Sequence, residues 1–225
     1  MPRPHRIIAH DLSYHVIARC SNEDFLFQAT ADFQLYLNCL AQTMRQFPFE
    51  LNNYTLMNNH VHLILTTLNE FGIDRIIHHA HLAFSKHYNR RHSRSAHFWK
   101  DRYKSPVIDN DIYGLTCMRY INRNPIRAKM VKRAEDWPWS AYRFYAFGEP
   151  NPLITPFPPY LGLSDNPKRR QATFRNLVVS ETNRERQEKW FFSGKAKPES
   201  RRGNLFLQKV LAPLLYQKVP GTFWL

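Results

Sequence analysis

The sequence lacks several features that would mark a secreted, membrane-bound or nucleotide-hydrolysing protein. Its three cysteines, Cys20, Cys39 and Cys117, are scattered and odd in number. They fit neither a disulfide framework nor a zinc knuckle, and they indicate reduced thiols in a cytoplasmic protein. No apolar run reaches the roughly 20 residues that a membrane span requires, and no apolar signal segment follows the first residues. A phosphate-loop motif and internal repeats are also missing, so we expect no membrane partner and no nucleotide cofactor.

Acidic residues are scarce relative to basic ones. The chain of 225 residues has 32 Lys and Arg against 18 Asp and Glu, a net charge of +14. Residues 1–50 carry 4 basic and 5 acidic residues, so the remaining 175, with 28 against 13, hold the whole excess. A chain this basic usually binds a polyanion, and nucleic acid is the first candidate. With 43% apolar residues, it can also form a substantial core.

Hydrophobic periodicity predicts the order strand, helix, strand, strand, helix, strand, helix. We expect strands at 14–19, 49–57, 60–67 and 105–109, and helices at 31–47, 72–91 and 111 to about 122. Asp111 is the expected cap of the third helix. Pro125 predicts a break or restart of the helix at that point, with Asn124 at the helix end. Asn58 and Asn59 suit the positive backbone angles of a tight hairpin. This order predicts an α+β domain, in which helices flank a small antiparallel sheet.

The C-terminal third has a different composition. Residues 148–167 are rich in proline, which predicts an irregular wrap, and a helix is expected at 168–179. The segment WPWSAY at 137–142 is expected to be an aromatic plug against the sheet. Residues 181–225 form a basic tail that we expect to be partly mobile, or ordered only on DNA. The predicted divisions are therefore a domain at 1–147, a wrap with a helix at 148–180, and the tail.

His60 and His62 lie inside an apolar run, MNNHVHLIL at 57–65, and a strand points both rings to one face. Two imidazoles on a rigid strand make half of a divalent-metal site, although ordinary strand histidines give the same pattern. Tyr120 and Asn124 share one face of a later helix. If these groups converge, two imidazoles and an amide would hold Mg²⁺ or Mn²⁺, and the tyrosine would be the nucleophile of a phosphoryl transfer. Tyr120 is alternatively a core residue, Asn124 a turn residue, and Asn122 another possible ligand.

Two other segments allow more than one interpretation. Six histidines between residues 78 and 97 resemble a metal tract, but their spacing spreads around a helix, and we favour phosphate-facing or surface roles. Phe98, Trp99 and Tyr103 alternate with basic residues and could stack on unpaired bases. They could equally be core aromatics beneath a solvated, charged face.

Five motifs, in order along residues 14–143, resemble the single-tyrosine HUH transposases of the insertion-sequence type, most closely the REP-associated tyrosine transposases. The motifs are YHVIAR at 14–19, MNNHVHL at 57–63, FWKDRYKS at 98–105, RYINRNPIRA at 119–128 and WPWSAYR at 137–143. Weaker similarity extends the resemblance to about residue 178. It implies a ferredoxin-like antiparallel sheet flanked by helices and a metal-dependent endonuclease that cuts and rejoins single-stranded DNA.

The resemblance also implies roles for particular residues. His60 and His62 match the metal-binding pair, Asn124 a polar third ligand, and Tyr120 the nucleophile that becomes 5′-phosphotyrosine and leaves a free 3′-OH. The implied cofactor is Mg²⁺ or Mn²⁺, and the implied partner is a single-stranded or hairpin DNA resembling a REP element. Residues in motifs expected near the DNA are Arg102, Lys104, Arg123 and Arg127.

Three other functions remain open at this point: a domesticated hairpin-binding protein that no longer cuts, a replication initiator or relaxase of the same superfamily, and an RNA-binding module. The protein is expected to be a monomer or homodimer, and in a dimer the tyrosine of one subunit could serve the metal site of the other. The resemblance implies a bacterial cytoplasmic protein associated with the nucleoid.

Overall fold

The computed structural model describes residues 11–68 and 71–180 of the chain. Within these ranges, no helix is both long and apolar enough to cross a lipid bilayer. The three cysteines are buried free thiols. The elements, in chain order, are β1 (Ser13–Arg19), α1 (Thr30–Gln46), β2 (Phe49–Leu56), β3 (His60–Thr67), α2 (Ile73–Arg91), β4 (Val107–Ile108), α3 (Asp111–Arg127), α4 (Tyr142–Phe147), α5 (Pro158–Leu161) and α6 (Pro167–Val179).

The four strands form one antiparallel sheet in the order β2-β3-β1-β4. The predicted element order and the α+β class are confirmed, and this strand order is that of a ferredoxin-like sheet. One sheet face carries Val61, Leu63 and Leu65, which are fully buried and share a core with residues of α1 and α2. Because side chains alternate along a strand, the histidines of β3 point to the other face, toward α3.

The hairpin that joins β2 to β3 differs from its prediction. The amide of Met57 donates to the carbonyl oxygen of His60 at 2.8 Å and closes the turn. Asn58 and Asn59 are the two turn residues, as predicted, but neither has a positive φ. The expected backbone angles are therefore wrong, although the position of the turn is confirmed.

Helix α3 also differs from its prediction, at both ends. Asn110 rather than Asp111 caps it, because the Asn110 side chain accepts a hydrogen bond from the amide of Tyr113 at 2.8 Å. The helix continues through Pro125 to its end two residues later, so the expected break is wrong. The φ of proline is compatible with a helix, and the cost of one missing hydrogen bond is tolerated near the last turn.

The chain after α3 covers the free edge of β2. The amide of Ala141 donates to the carbonyl oxygen of Tyr54 at 3.0 Å, and that of Thr155 donates to the carbonyl oxygen of Leu51 at 3.0 Å. An uncovered edge strand invites pairing with another chain, so these contacts protect the sheet. The proline-rich stretch is thus a wrap, as predicted, but it includes the short helix α5 and is not wholly irregular.

The predicted aromatic plug is confirmed. Trp139 stacks on Phe33 of α1 with ring centroids 4.9 Å apart, and Trp137 meets the same ring edge-on at 5.9 Å. The indole nitrogen of Trp137 donates to the carbonyl oxygen of Leu56 at 2.9 Å. The plug therefore joins α1 to the end of β2.

Two arginines of α3 bind the C-terminal end of α6. The Nε of Arg119 donates to the carbonyl oxygen of Leu177 at 3.0 Å, and its Nη2 donates to that of Ser180 at 2.6 Å. The Nη1 of Arg123 donates to the carbonyl oxygen of Val178 at 2.6 Å. These carbonyls have no partner within their own helix, so the guanidinium groups complete its last turn. The predicted tail, residues 181–225, lies outside the described residues, and the predicted domain division stays a prediction.

Candidate active site

The sheet places the two predicted histidines beside a third. On the central strands, His62 pairs with Ile17 and His60 pairs with Arg19. His15 lies two residues before Ile17 on β1 and therefore points to the same face as His62. Three imidazoles thus lie together on one face of β1 and β3.

Both predicted metal ligands have one ring nitrogen bound by the protein. The Nδ1 of His62 lies 3.1 Å from the Nε2 of His15, and the two rings meet edge to edge with centroids 5.3 Å apart. The Nδ1 of His60 lies 2.6 Å from the Oδ1 of Asn59. The nitrogen available to an external ligand is therefore Nε2 in each ring.

Helix α3 brings the predicted nucleophile to these rings. Tyr120 is 7% exposed, and its ring stands perpendicular to that of His62 with centroids 5.6 Å apart. The ring of His15 lies 6.1 Å away, also edge-on. The guanidinium of Arg127, two turns further along the helix, lies 5.2 Å from the centroid of the tyrosine ring. One chain therefore supplies both the histidine pair and the tyrosine.

Burial and nearby cations keep the histidines neutral. Burial, followed by the positive charge of Arg19, lowers the pKa of His60 to about 4. Burial also holds the pKa of His62 well below its ordinary value, with smaller contributions from His60, His15, Arg19 and Arg127. A neutral imidazole has a lone pair for a metal, so both groups are in the ligand form at pH 7.

The distance between the rings of His60 and His62 suits two ligands of one divalent cation. With each Nε2 about 2.1 Å from the metal, each ring centroid lies about 3.3 Å from it, and two ligands at a right angle have centroids about 4.7 Å apart. The observed separation of the His60 and His62 centroids is 4.9 Å. Among the described residues, no group of three or more His, Cys, Asp or Glu could hold a metal. Within residues 11–68 and 71–180, any third protein ligand would therefore come from another residue type.

Two amides of α3, Asn124 and Asn122, are the predicted candidates for that third ligand. Asn124 lies one turn beyond Tyr120 on the same helix face, and its buried Nδ2 has no hydrogen-bond partner. No hydrogen bond from the amide nitrogen fixes the orientation of the group, so rotation can present its Oδ1. The Nδ2 of Asn122 donates to the carbonyl oxygen of Met118 at 2.8 Å, and its Oδ1 is buried without a hydrogen-bond partner.

The four arginines and lysines expected near DNA have different positions. Arg102 and Lys104 are exposed, and Lys104 pairs with Ile17, in the same row of the sheet as His62. Arg127 is half-buried against the tyrosine. Arg123 is only 6% exposed and binds carbonyls at the end of α6. This position gives Arg123 a structural role rather than the predicted DNA contact, because a buried guanidinium is not available to a phosphate.

Three of the groups considered for base stacking or phosphate contact lie in the core. Phe98 and Tyr103 are 2% and 9% exposed. His81 is buried as well, stacks on Trp99 with centroids 4.0 Å apart, and has its Nε2 3.2 Å from the hydroxyl of Tyr36. Phe98 and Tyr103 are therefore core aromatics, the second of the two interpretations, and the expected surface role of His81 is wrong. The exposed members of the histidine stretch are His78, His87, His92 and His97.

Sequence reasoning missed three residues of the site: His15, Arg19 and Asn59. His15 and Arg19 are four apart on a strand and so share a face, which was a usable signal. The register that aligns this face with His60 and His62 was not available without the tertiary structure. Asn59 was predicted only as a turn residue, and its contact with the neighbouring ring depends on the turn geometry.

A four-stranded antiparallel sheet with a histidine pair on a central strand and a helix-borne tyrosine against it defines the single-tyrosine HUH class. The family model described as "Transposase IS200 like" matches residues 8–124, which include both histidines, Tyr120 and Asn124. The chain belongs to this family.

Two similar proteins agree with that assignment. The REP-associated tyrosine transposase of Escherichia coli (strain K12) is 26% identical over 119 residues, which cover 50% of this chain and 66% of that relative, just under two thirds of its length. A solved structure of a REP-associated tyrosine transposase bound to a REP hairpin has a TM-score of 0.57 at 21% identity. It covers 70% of this chain and 96% of the other. At this identity the likeness shows a shared fold.

Proposed function

We propose that the protein is a metal-dependent endonuclease and strand transferase that acts on single-stranded hairpin DNA through a 5′-phosphotyrosine. The observation that carries this proposal is the edge-on contact between the rings of Tyr120 and His62, with centroids 5.6 Å apart in one chain. A buried phenol beside two neutral imidazoles is a typical arrangement for nucleophilic attack on a metal-bound phosphodiester.

The proposed step exchanges one phosphoester for another. The Oη of Tyr120 attacks the phosphorus, a new P–O bond to tyrosine forms, and the bond from phosphorus to the 3′-oxygen breaks. The phenol loses its proton and the leaving 3′-oxygen gains one, so protons balance. The new phosphotyrosine ester keeps the energy of the cut bond, and attack by a 3′-OH reverses the step and joins strands without a nucleotide cofactor.

His60 and His62 would hold the cation through their Nε2 atoms, and Asn124 would complete the protein ligands. When bound, Mg²⁺ or Mn²⁺ would polarise the phosphate oxygens and stabilise the charge that develops on them. The positive charge of Arg127, 5.2 Å from the tyrosine ring, would also stabilise the negative charge that develops on the phosphate oxygens. Its planar guanidinium suits both the aromatic ring and a phosphate oxygen.

The proposed substrate follows from family membership and from charge. The solved relative binds a REP hairpin. In this chain Arg102 and Lys104 are exposed, and Lys104 pairs with Ile17 in the same row of the sheet as His62. Arg19 is also exposed, and its strand position is opposite His60. Cations around the site would bind the phosphate backbone of the DNA with a strong dependence on salt. The protein would work as a monomer or homodimer.

The test is covalent capture of labelled DNA. The full-length protein is incubated with a library of single-stranded hairpins carrying 5′ and 3′ labels, with Mn²⁺, and resolved under denaturing conditions. We expect a protein–DNA band that disappears in Tyr120→Phe. Tyr142→Phe is the matched control, because this buried tyrosine of α4 contacts Phe174 and Phe147 rather than the histidines.

A band that persists in Tyr120→Phe would contradict the nucleophile assignment. A native complex with hairpin DNA and no covalent band under any divalent cation would instead support the binding-only alternative. The convergence of tyrosine and histidines in one site argues for the enzyme, since a protein that only binds hairpins has no need of it.

A further inference from the structure

His15 is a buried histidine that the proposed cleavage step does not use. It is fully buried, and His62 is 2% exposed. The Nε2 of His15 lies 3.1 Å from the Nδ1 of His62, and the two ring planes are inclined by only 26°, as an edge-to-edge hydrogen bond requires. Water cannot compete with a hydrogen bond between two buried rings, so the bond constrains both side chains.

The backbone sets this contact. Strands β1 and β3 pair in continuous register from Ser13 opposite Thr66 to Arg19 opposite His60. His15 and His62 are therefore held on adjacent strands, two residues apart along the ladder and on one face. A contact between two central strands of a sheet is more rigid than one that depends on a loop.

The chemistry of imidazole determines which of the two rings donates this hydrogen bond. A neutral ring carries one proton, so a ring that presents the lone pair of Nε2 to a metal must carry its proton on Nδ1. For His62, that Nδ1–H can donate only to a lone pair on the Nε2 of His15. The hydrogen bond then fixes both the tautomer of His62 and the rotation of its ring.

We propose that His15 is a positioning residue that holds His62 in the Nδ1–H tautomer, with its Nε2 directed to the cation. This inference rests on the metal role given to His62 in the proposed function. Asn59 does the same for His60, because its Oδ1, 2.6 Å from the Nδ1 of His60, can only accept a hydrogen bond. The two ligands thus have different supports, an amide oxygen for one and a buried imidazole for the other.

Two variants separate positioning from simple packing. In His15→Gln, the amide can place an acceptor near the former position of Nε2, whereas His15→Leu keeps an apolar side chain of comparable size without an acceptor. Each is tested as full-length protein without DNA, by Mn²⁺ titration followed by electron paramagnetic resonance. The tautomer of His62 is read from long-range proton–nitrogen correlations in protein labelled with ¹⁵N-histidine, and thermal unfolding checks the fold.

We expect the Nδ1–H form of His62 in the wild type. We expect His15→Leu to bind Mn²⁺ at least about tenfold more weakly, as is usual when a partner of a metal ligand is lost, and His15→Gln to recover most of the affinity. An Nε2–H form of His62 in the wild type would overturn the inference. So would equal Mn²⁺ affinity in His15→Leu, or a folded His15→Gln that binds as weakly as His15→Leu.

The same samples distinguish this inference from the proposed function. If Mn²⁺ binding depends on His15 but no covalent DNA band forms, the positioning role stands and the proposed cleavage fails. If the band forms with the same Mn²⁺ dependence in His15→Leu as in the wild type, the proposed cleavage stands and the positioning role fails.

Discussion

The ring of Tyr120 stands perpendicular to that of His62, with centroids 5.6 Å apart, within a single chain. A site completed in cis does not need a partner's tyrosine. We therefore expect that mixing Tyr120→Phe with His62→Ala restores no covalent DNA band, because neither protein has a whole site. A band from the mixture, absent from each variant alone, would show that subunits exchange the tyrosine helix and would contradict a cis site.

Arg127 and Arg102 should affect different steps. Arg127 lies 5.2 Å from the tyrosine ring, so Arg127→Gln should slow adduct formation at saturating hairpin DNA by at least about tenfold. Arg102 is exposed, so Arg102→Gln should weaken binding and reduce the salt slope by about one. Single-turnover adduct kinetics and binding titrations at several salt concentrations measure the two effects. Equal effects of both substitutions on both measurements would refute the distinction.

His81 should make stability depend on pH. Burial lowers its pKa to about 3 from an ordinary value of 6.5. Between these values the unfolded chain binds a proton that the folded chain does not, so the free energy of unfolding falls as the pH drops. From pH 7 to pH 5, this one group should account for about 2 kcal/mol.

Urea unfolding of the wild type and of His81→Gln at both pH values measures this contribution. The substitution removes the titrating group and keeps a polar atom near the hydroxyl of Tyr36. Between pH 7 and pH 5, the free energy of unfolding of the variant should therefore fall by about 2 kcal/mol less than that of the wild type. An unchanged dependence would mean that His81 is not the group responsible.

Arg119 should be more important for folding than for DNA binding. It is fully buried and donates to the carbonyl oxygens of Leu177 and Ser180. Arg119→Met keeps much of the side-chain length but removes the two hydrogen bonds from the charged guanidinium, at a cost of about 3 kcal/mol in the free energy of unfolding. The control is Arg169→Met, at an exposed position of α6, which should change stability little. Equal stability of the two variants would contradict the capping role.

Gly114 allows α3 to approach the proline-rich wrap. A Cβ at this position would lie 2.9 Å from the Cγ of Pro159 and 3.0 Å from the Cε1 of Phe157. Gly114→Ala should therefore lower the free energy of unfolding by roughly 1 kcal/mol, because the clash outweighs the gain in helix propensity. Gly162→Ala is the control, since its Cβ would meet nothing closer than 3.6 Å. A more stable Gly114→Ala would show that the proline-rich segment shifts to accommodate the new methyl group at little cost.

The sequence by itself determined the element order, because periods of 2.0 and 3.6 residues are local properties of strands and helices. It also determined which face of β3 carries His60 and His62, and which face of α3 Tyr120 and Asn124 share. These are relationships within one element, and they require no knowledge of what lies opposite. The helix through Pro125 was missed because tertiary contacts can outweigh a local preference near a helix end.

Only the tertiary structure decided how the elements meet. The strand register brings His15 beside His62, and the packing of α3 brings Tyr120 onto both rings. The same packing buries Arg123 against α6, although its motif placed it among DNA contacts. The sequence around an arginine does not show whether its guanidinium binds phosphate or caps a helix. Burial distinguishes the two, and burial is a property of the assembled fold.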